Sequence, residues 1–331
     1  MNVDYILCCD WGTSSFRLRL LDLDGKIIAE TSSDQGILAT NDLWEKIAGN
    51  EEKNRFTFYL AYIRSRMASL QSNDAIDVLQ LPLVISGMAT STIGMKNIPY
   101  SSLPFHLNGS VGYEVFEQAH QVPVILVTGI ASHDDILRGE ETQMMGLFHL
   151  PTLKLPKDGL FLLPGTHSKH IEVAKECIVN FKTFMTGEIF QLLKEQGTLS
   201  KSMEQIKDSK LSNPKNTSAF NKGVEQSKKA VLLNELFKIR SNDILGHTSK
   251  EENNYYLSGL LIGSELAYLK DRENANQKLV LCAGASLLPY YTQALTVLGL
   301  GADCIIVESA IFEKATTLGQ LAVYKNYAQI K

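Results

Sequence analysis

The sequence predicts an α/β protein built in two halves. Short apolar strands alternate with segments of helical periodicity along most of the chain. One pattern also occurs twice: a strand, a turn of glycine and hydroxyl residues, and a hairpin, first over 5–33 and again over 159–181. With 331 residues and 44% hydrophobic content, the chain is long enough for two domains.

The first half begins as an antiparallel meander. Residues 5–10 form an apolar strand, residues 15–23 alternate in polarity, and Asp24-Gly25 is a strong hairpin signal before a third strand over 26–33. The periodicity then predicts a helix over 56–70, a strand over 81–86, a helix over 113–120, a strand over 122–128 and a helix over 139–148.

The second half repeats the opening pattern and then becomes mainly helical. Its predicted elements are a strand over 159–163, a hairpin over 170–181, a helix over 186–194, an exposed loop or irregular connection over 200–217, a helix over 255–270, a strand over 278–283, a helix from 288, a strand over 304–308 and a helix over 309–324. Gly259 and Gly263, four residues apart, permit close helix packing. We expect the last helix to pack against the first domain.

Composition excludes several classes of partner. The formal net charge of -4 and the pI near 6.0 give no electrostatic footprint for nucleic acid or an anionic membrane. The five cysteines form no CxxC pair and are expected to be reduced and structural. No signal region or membrane-spanning stretch is visible, so the cytoplasm is the expected location. The sequence is compatible with an oligomer.

Three glycine turns have the composition of a nucleotide site. The first is CDWGTSSFR (9–17), the second is LPGTHSK (163–169), and the third is Gly284-Ala285-Ser286 between a strand and a helix. Backbone N–H groups and hydroxyls of such turns can bind phosphate. Asp10 would face the phosphate through Mg2+, which prefers oxygen ligands. Taken alone, the first turn is better interpreted as an ordinary β-turn, and the second turn is what favours a phosphate site.

With these turns, further segments make the chain resemble a known family. The segments are 10–15, RGEETQ (138–143), 163–169, 185–188 and 256–263. They resemble the 2-dehydro-3-deoxygalactonokinase family within the actin, hexokinase and Hsp70-like ATPase superfamily. The resemblance implies two actin-like ATPase (ribonuclease H-like) domains, expected over 1–122 and 123–331, with a nucleotide cleft between them. It also implies ATP-dependent phosphorylation of a small sugar acid.

The resemblance assigns residues to the nucleotide. The expected ATP-binding residues are Asp10, Gly12, Thr13, Ser14, Gly165, Thr166, Ser168, Lys169, Gly284 and Ala285, with Asp10 orienting Mg2+. His167 and Lys169 flank the second turn, and either one is a candidate for phosphate contact. For Lys169, a solvated lysine is the favoured interpretation.

The RGEETQ segment carries the expected catalytic residues. Phosphoryl transfer needs a base for the acceptor hydroxyl, and Glu141 is the expected base with Glu140 as its near rival. Consecutive helical side chains diverge by about 100 degrees, so one of the pair faces the substrate. Both glutamates could instead stabilise a helix N-terminus. Arg138 could bind a substrate carboxylate, or pair with Glu141 or Asp134.

The segment after Gly87 departs from the family pattern GMIGSRQGWxExPY. It keeps the frame, but Thr92, Met95 and Asn97 replace the family's arginine, tryptophan and glutamate. The expected substrate-binding residues are Gly87, Met88, Ser91, Thr92, Tyr100 and Arg138. We therefore expect a sugar-acid kinase with an altered substrate site. A kinase for a different sugar and a nucleotide-binding regulator of the same superfamily are the alternatives.

Overall fold

The computed structural model describes residues 4–48, 52–70, 76–117, 122–204, 211, 213–229, 231–270 and 277–330. Contacts divide the chain into two compact units. The first contains Met1–Lys157, Val173–Asn180 and Ile311–Lys331, and the second contains Asp158–Glu172 and Phe181–Ala310. The domain boundary expected after residue 122 falls inside the first unit, so the units and the predicted domains divide the chain differently.

Strands and helices are interspersed along the chain. The strands are β1 (Tyr5–Trp11), β2 (Phe16–Asp22), β3 (Ile27–Ser33), β4 (Leu83–Gly87), β5 (Ser101–Ser102), β6 (Phe105–His106), β7 (Tyr113–Glu117), β8 (Pro123–Val127), β9 (Ile130–Ala131), β10 (Ile136–Leu137), β11 (Gly159–Leu163), β12 (Ser168–Ala174), β13 (Cys177–Phe184), β14 (Lys278–Cys282) and β15 (Cys304–Val307). The helices are α1 (Ile37–Ala48), α2 (Glu52–Met67), α3 (Glu140–Phe148), α4 (Thr186–Glu195), α5 (Gly197–Ser200), α6 (Pro214–Gln226), α7 (Leu232–Ile244), α8 (Lys250–Leu266), α9 (Leu288–Leu298) and α10 (Ser309–Ile330).

The first unit is built on a sheet of order β3-β2-β1-β4-β8-β7. The predicted meander is confirmed, because β1 pairs antiparallel with β2, and β2 pairs antiparallel with β3. Strand β1 also pairs in parallel with β4, which in turn pairs in parallel with β8. This pairing brings Asp10, near the end of β1, opposite Ser86 in β4. Residues far apart in sequence thus meet at the carboxyl ends of parallel strands.

The helix predicted over 113–120 is wrong. Tyr113–Glu117 is the edge strand β7, which pairs antiparallel with β8. Residues 118–120 lie outside the described part of the chain. The apolar residues of this short segment fit either helical or strand spacing, and pairing with the buried strand β8 selects the strand.

The last helix belongs to the first unit, which confirms its expected packing. A Cβ atom built on Gly146 of α3 would lie 1.8 Å from the carbonyl oxygen of Ala315 in α10. A Cβ atom on Gly319 of α10 would lie 1.9 Å from the carbonyl oxygen of Thr142 in α3. The side chain of Gln320 donates to the Cys9 carbonyl at 2.6 Å. Helix α10 therefore joins α3 to the central strand β1.

The second unit combines helices α4 to α9 with strands in the order β15-β14-β11-β12-β13, of which it contains all but residues 173–180. Helix α8 packs against α6, and a Cβ atom on Gly259 would lie 2.1 Å from the carbonyl oxygen of Phe220. The predicted close packing at Gly259 is confirmed. The exposed connection predicted over 200–217 is only partly correct, because Ser202 and Met203 are buried and α6 begins at Pro214. Residues 205–210 and 212 of that segment lie outside the described residues.

Within the ranges that the structure describes, no helix is long and apolar enough to cross a membrane.

We expect Gly319→Ala to destabilise the first unit, because the new methyl group would overlap the Thr142 carbonyl. Overpacking of this kind costs about 1–3 kcal/mol. Thermal unfolding should therefore show a lower midpoint than in the wild type. Gly284→Ala is the control, since no atom lies within 4 Å of a Cβ at Gly284. An unchanged midpoint for Gly319→Ala would contradict the close α3–α10 contact.

Candidate active site

The first glycine turn lies in the first unit, between β1 and β2. The N–H of Gly12 donates to the Ser15 carbonyl at 2.9 Å, and the carbonyls of Gly12 and Thr13 accept N–H groups from the start of α1. The side chains of Thr13, Ser14 and Ser15 are exposed. A Cβ atom on Gly36 would lie 2.3 Å from the Thr13 carbonyl oxygen. Helix α1 therefore supports the turn from behind and leaves its hydroxyls open to a ligand.

Asp10 is half-buried near the end of β1. Burial raises the pKa of its carboxyl group, Arg17 and Arg19 lower it, and the charge of Glu140 raises it further. The carboxylates of Asp10 and Glu140 are therefore electrostatically coupled. Within the described residues there is no group of three His, Cys, Asp or Glu side chains that could hold a metal. Mg2+ is usually bound by one or two carboxylates and keeps several waters, so Asp10 fits such an ion.

Two glycines bring the end of β4 against the start of α3. Gly87 has φ +86° and Gly139 has φ +108°, a backbone conformation that favours glycine. A Cβ atom on Gly139 would lie only 3.8 Å from the Cα atom of Gly87. The segment that ends with β4 and the RGEETQ segment are therefore neighbours in the first unit.

The two adjacent glutamates at the start of α3 have different environments. The Glu140 carboxylate accepts the Arg138 N–H at 3.1 Å, and the Glu141 carboxylate accepts the Gly139 N–H at 2.6 Å. Glu140 is half-buried, whereas Glu141 is 0% exposed. Both carboxylates therefore accept backbone N–H groups just before the helix, as expected if the glutamates stabilise the helix N-terminus. Only Glu140 also has exposed surface.

Burial raises the pKa of Glu141 to about 7. The hydrogen bond that Thr142 Oγ1 donates to Glu141 at 2.8 Å lowers the pKa, and the charge of Glu140 raises it. A carboxyl group of this kind carries a proton during part of the neutral pH range.

Arg138 is held between an aromatic ring and a hydroxyl. Its guanidinium carbon lies 4.3 Å from the centre of the Tyr100 ring, and its Nη1 donates to Thr90 Oγ1. Its Nε is buried and has no hydrogen-bond partner. Neither Glu141 nor Asp134, both of which are described, forms an ion pair with Arg138. The guanidinium therefore remains able to pair with the carboxylate of a ligand.

The segment that departs from the family pattern folds into a compact loop next to Arg138. Met88 is half-buried, the Ser91 hydroxyl donates to the Met88 carbonyl at 2.7 Å, and Thr92 is exposed. Met95 is 1% exposed and packs in the core of the first unit. The family's tryptophan position is therefore a core position in this chain.

Arg55 of α2 reaches the same loop, and sequence patterns gave no sign of it. Its guanidinium carbon lies 4.2 Å from the centre of the Trp44 ring. Its Nη1 donates to the Thr92 carbonyl at 2.7 Å. A cation thus contacts the position at which the family has an arginine.

The second glycine turn lies in the second unit. Thr166 and His167 are exposed, whereas Ser168 is 0% exposed and Lys169 is 5% exposed. The Nζ of Lys169 donates to the His167 carbonyl at 2.9 Å, so Lys169 is not a solvated lysine. A Cβ atom on Gly187 would lie 2.5 Å from the Gly165 carbonyl oxygen. The turn therefore packs directly on the start of α4, a contact that the sequence did not indicate.

A cavity of about 210 Å3 opens beside this turn. Its wall is mainly aromatic and aliphatic, and it includes Gly165 of the turn and Thr186 at the start of α4. From the third glycine turn, Ser286 and the following Leu287 line the cavity, and Gly284 and Ala285 do not. A mainly apolar cavity, with hydrogen-bond donors to phosphate at one side, has the composition needed to bind a nucleoside with attached phosphates.

The family model of 2-keto-3-deoxy-galactonokinase matches residues 10–317. The chain is 32% identical over 234 residues to the 2-dehydro-3-deoxygalactonokinase of Escherichia coli K12. The matched region covers 69% of this chain and 75% of that protein. It is 28% identical over 317 residues to a probable 2-dehydro-3-deoxygalactonokinase of Rhizobium meliloti, covering 93% and 94% of the two chains.

Solved structures show the same fold. A Sinorhizobium meliloti structure with a provisional 2-dehydro-3-deoxygalactonokinase name has a TM-score of 0.79 and 27% identity, covering 97% of this chain and 98% of its own. An activator of 2-hydroxyisocaproyl-CoA dehydratase from Clostridium difficile has a TM-score of 0.50 and 10% identity, covering 98% and 97%. The predicted actin-like ATPase fold is confirmed.

The raised pKa of Glu141 predicts a pH-dependent stability. The folded protein holds this proton up to a pH of about 7, whereas the unfolded chain releases it near the ordinary pKa of 4.5. The free energy of unfolding therefore falls as pH rises through this window. Relative to Glu141→Gln, which cannot titrate at this position, the free energy of unfolding of the wild type should fall by about 3 kcal/mol between pH 4.5 and a pH of about 7.

Urea unfolding at a series of pH values measures this difference. Glu114→Gln, at an exposed position of β7, is the control. Its free energy of unfolding, plotted against pH, should run parallel to that of the wild type. A Glu141→Gln curve that also runs parallel to the wild type would contradict the raised pKa.

Proposed function

Because the chain belongs to the 2-keto-3-deoxy-galactonokinase family, we propose that it transfers the terminal phosphoryl group of ATP to a hydroxyl of the sugar acid 2-dehydro-3-deoxygalactonate. One observation carries the proposal. The start of α3 presents a partly exposed carboxylate, Glu140, which accepts the backbone N–H of Arg138, beside the end of strand β4. A base and a cation at one place suit an acceptor that carries both a hydroxyl and a carboxylate.

Arg138 binds the acceptor's carboxylate in this proposal. Stacking on Tyr100 and the bond to Thr90 hold the guanidinium of the half-buried Arg138 in place. Arginine can bind a carboxylate through two parallel hydrogen bonds. A hydrogen bond to a charged group contributes about 1.5–3 kcal/mol, enough to discriminate an acid from a neutral sugar.

We propose Glu140, rather than Glu141, as the base that takes the hydroxyl proton. The sequence favoured Glu141, whose pKa of about 7 suits a base. Glu141, however, is 0% exposed, and its two oxygens accept bonds from Gly139 and Thr142. Glu140 has exposed surface and is electrostatically coupled to Asp10. In this arrangement Glu141 fixes the start of α3 and so positions Glu140.

The remaining roles concern the nucleotide. We propose that hydrogen-bond donors of the two turns bind the phosphates of ATP. In the first unit these are backbone N–H groups of Gly12, Thr13 and Ser14 and the hydroxyls of Thr13 and Ser14. In the second unit they are backbone N–H groups of Gly165 and Thr166 and the hydroxyl of Thr166. The cavity beside Thr186 would take the adenosine. Asp10 would hold Mg2+ through water, and the ion would neutralise charge on the phosphates. We place the reaction in the cytoplasm, with a small molecule as the partner.

A kinase for a different sugar is the second candidate. Met95 is a core residue here, and Thr92 contacts Arg55 through its carbonyl, so this loop offers the acceptor different groups from the family pattern. The same substitutions keep the nucleotide-binding regulator as an alternative.

Kinase assays on a panel of acceptors test the proposal. We expect ATP- and Mg2+-dependent phosphorylation of 2-dehydro-3-deoxygalactonate, with kcat/KM about 10- to 100-fold higher than for neutral ketoses and hexoses, because only the acid can pair with Arg138. Higher turnover of another acceptor would favour the second candidate. ATP binding without turnover of any acid or sugar would favour the regulator.

Replacement of each glutamate tests the assignment of the base. We expect Glu140→Gln to lower kcat by about 100-fold or more with little change in the KM of the acceptor, since general bases contribute about 10²–10⁴-fold. Glu141→Gln is the matched neighbour and should cost about tenfold or less. A larger loss of kcat in Glu141→Gln than in Glu140→Gln would instead make Glu141 the base.

A further inference from the structure

A buried carboxylate lies behind the cavity of the second unit. Glu265 of α8 is 3% exposed, and three donors converge on its two oxygens. His170 Nε2 lies 2.9 Å from Oε1, while the hydroxyls of Tyr291, at 2.6 Å, and Thr186 both donate to Oε2. Three donors satisfy a carboxylate that is otherwise costly to bury.

Chemistry fixes the direction of the hydrogen bonds that lead away from Glu265. A carboxylate only accepts, so the Tyr291 hydroxyl donates its proton to Glu265. Tyr291 must then accept from the Ser168 hydroxyl at 3.0 Å. With its proton committed, the Ser168 oxygen accepts the Gly165 N–H at 3.4 Å. One ordered chain therefore runs from Glu265 through Tyr291 and Ser168 to Gly165.

This chain ends at the cavity wall. Gly165, Thr186 and Tyr291 all line the cavity, and Thr186 is the first residue of α4. The Gly165 carbonyl packs against Gly187 of the same helix. Glu265 therefore binds the start of α4 directly, at Thr186, and is connected to the second glycine turn through Tyr291 and Ser168.

We propose that Glu265 is a positioning residue for the nucleotide, which holds the Gly165–Ser168 turn, through Tyr291 and Ser168, in the shape that binds phosphates. The inference rests on the proposed function, because it takes the occupant of the cavity to be a nucleotide. It predicts that breaking the chain weakens binding of phosphate groups and leaves binding of the nucleoside intact. Ser168, which is 0% exposed, acts in the chain and does not touch the phosphates.

Calorimetric titration of the full chain with ADP and with adenosine separates the two effects. Tyr291→Phe keeps the ring in the cavity wall and removes only the hydroxyl. We expect it to weaken ADP binding by about fivefold to tenfold and adenosine binding by less than about twofold. Tyr256→Phe is the matched control, because the Tyr256 hydroxyl donates to another buried glutamate, Glu235, which does not line this cavity. It should change neither affinity.

A double-mutant cycle tests whether the residues act through one chain. Ser168→Ala should weaken ADP binding about as much as Tyr291→Phe, and the double variant should be no weaker than either single variant. Additive losses would mean that Ser168 contacts the phosphate directly, and they would overturn the proposal.

Substitution of Glu265 itself tests its role as an acceptor. Glu265→Gln keeps one acceptor oxygen for Tyr291 and Thr186, and its amide can donate to His170 once that imidazole exchanges tautomer. We expect ADP affinity within about threefold of the wild type, whereas Glu265→Leu should lose about tenfold or more. The control pair is Glu235→Gln and Glu235→Leu. If Glu265→Leu does not fold, the Tyr291 and Ser168 cycle decides.

The outcomes separate this inference from the proposed function. Wild-type protein that binds neither ADP nor ATP would overturn both. Wild-type protein that binds ADP and phosphorylates its acceptor, with Tyr291→Phe binding ADP equally well, would overturn the positioning role alone. Equal losses for ADP and adenosine in Tyr291→Phe would also overturn it, since they indicate damage to the whole cavity.

Discussion

Direct contact between backbones at glycine positions is the constraint on which both units depend. In the first unit, Gly146 and Gly319 let α3 and α10 touch backbone to backbone. In the second, Gly187 lets α4 touch the Gly165 turn. Side chains at these positions would force the elements apart, and well-packed interiors tolerate such changes poorly. The residues with chemical roles therefore lie on elements whose positions are fixed by backbone atoms.

Burial divides the charged groups of the first unit into two classes. Glu141 is fully buried, satisfies the helix start and titrates at a pKa of about 7. Glu140, one residue earlier, keeps exposed surface and lies close enough to Asp10 to raise the pKa of that carboxyl. The difference follows from the helical rotation between adjacent residues, which turns one carboxylate inward and the other outward. A pair that looks equivalent in sequence is therefore unequal in burial and in pKa.

Local patterns predicted most elements because hydrophobic periodicity and glycine turns are local properties. The meander, the second hairpin and the last helix were found in this way. The edge strand β7 was not, because its five residues take their conformation from pairing with β8. The turns at Gly12 and Gly165 were visible as motifs, but the contacts that Gly36 and Gly187 make with them were not. Arg55 and Glu265 carried no local signal, since each acts on a segment far away in sequence.

The sequence by itself determined the fold class, the family, the two glycine turns and the RGEETQ segment, because each is a contiguous pattern. Tertiary structure alone decided which carboxylate has exposed surface, that Arg138 stacks on Tyr100, and that Met95 is a core residue. It also brought Glu265 into contact with Tyr291 and Thr186. Burial and hydrogen-bond partners depend on which strands and helices meet, and the spacing of residues along one chain does not specify those meetings.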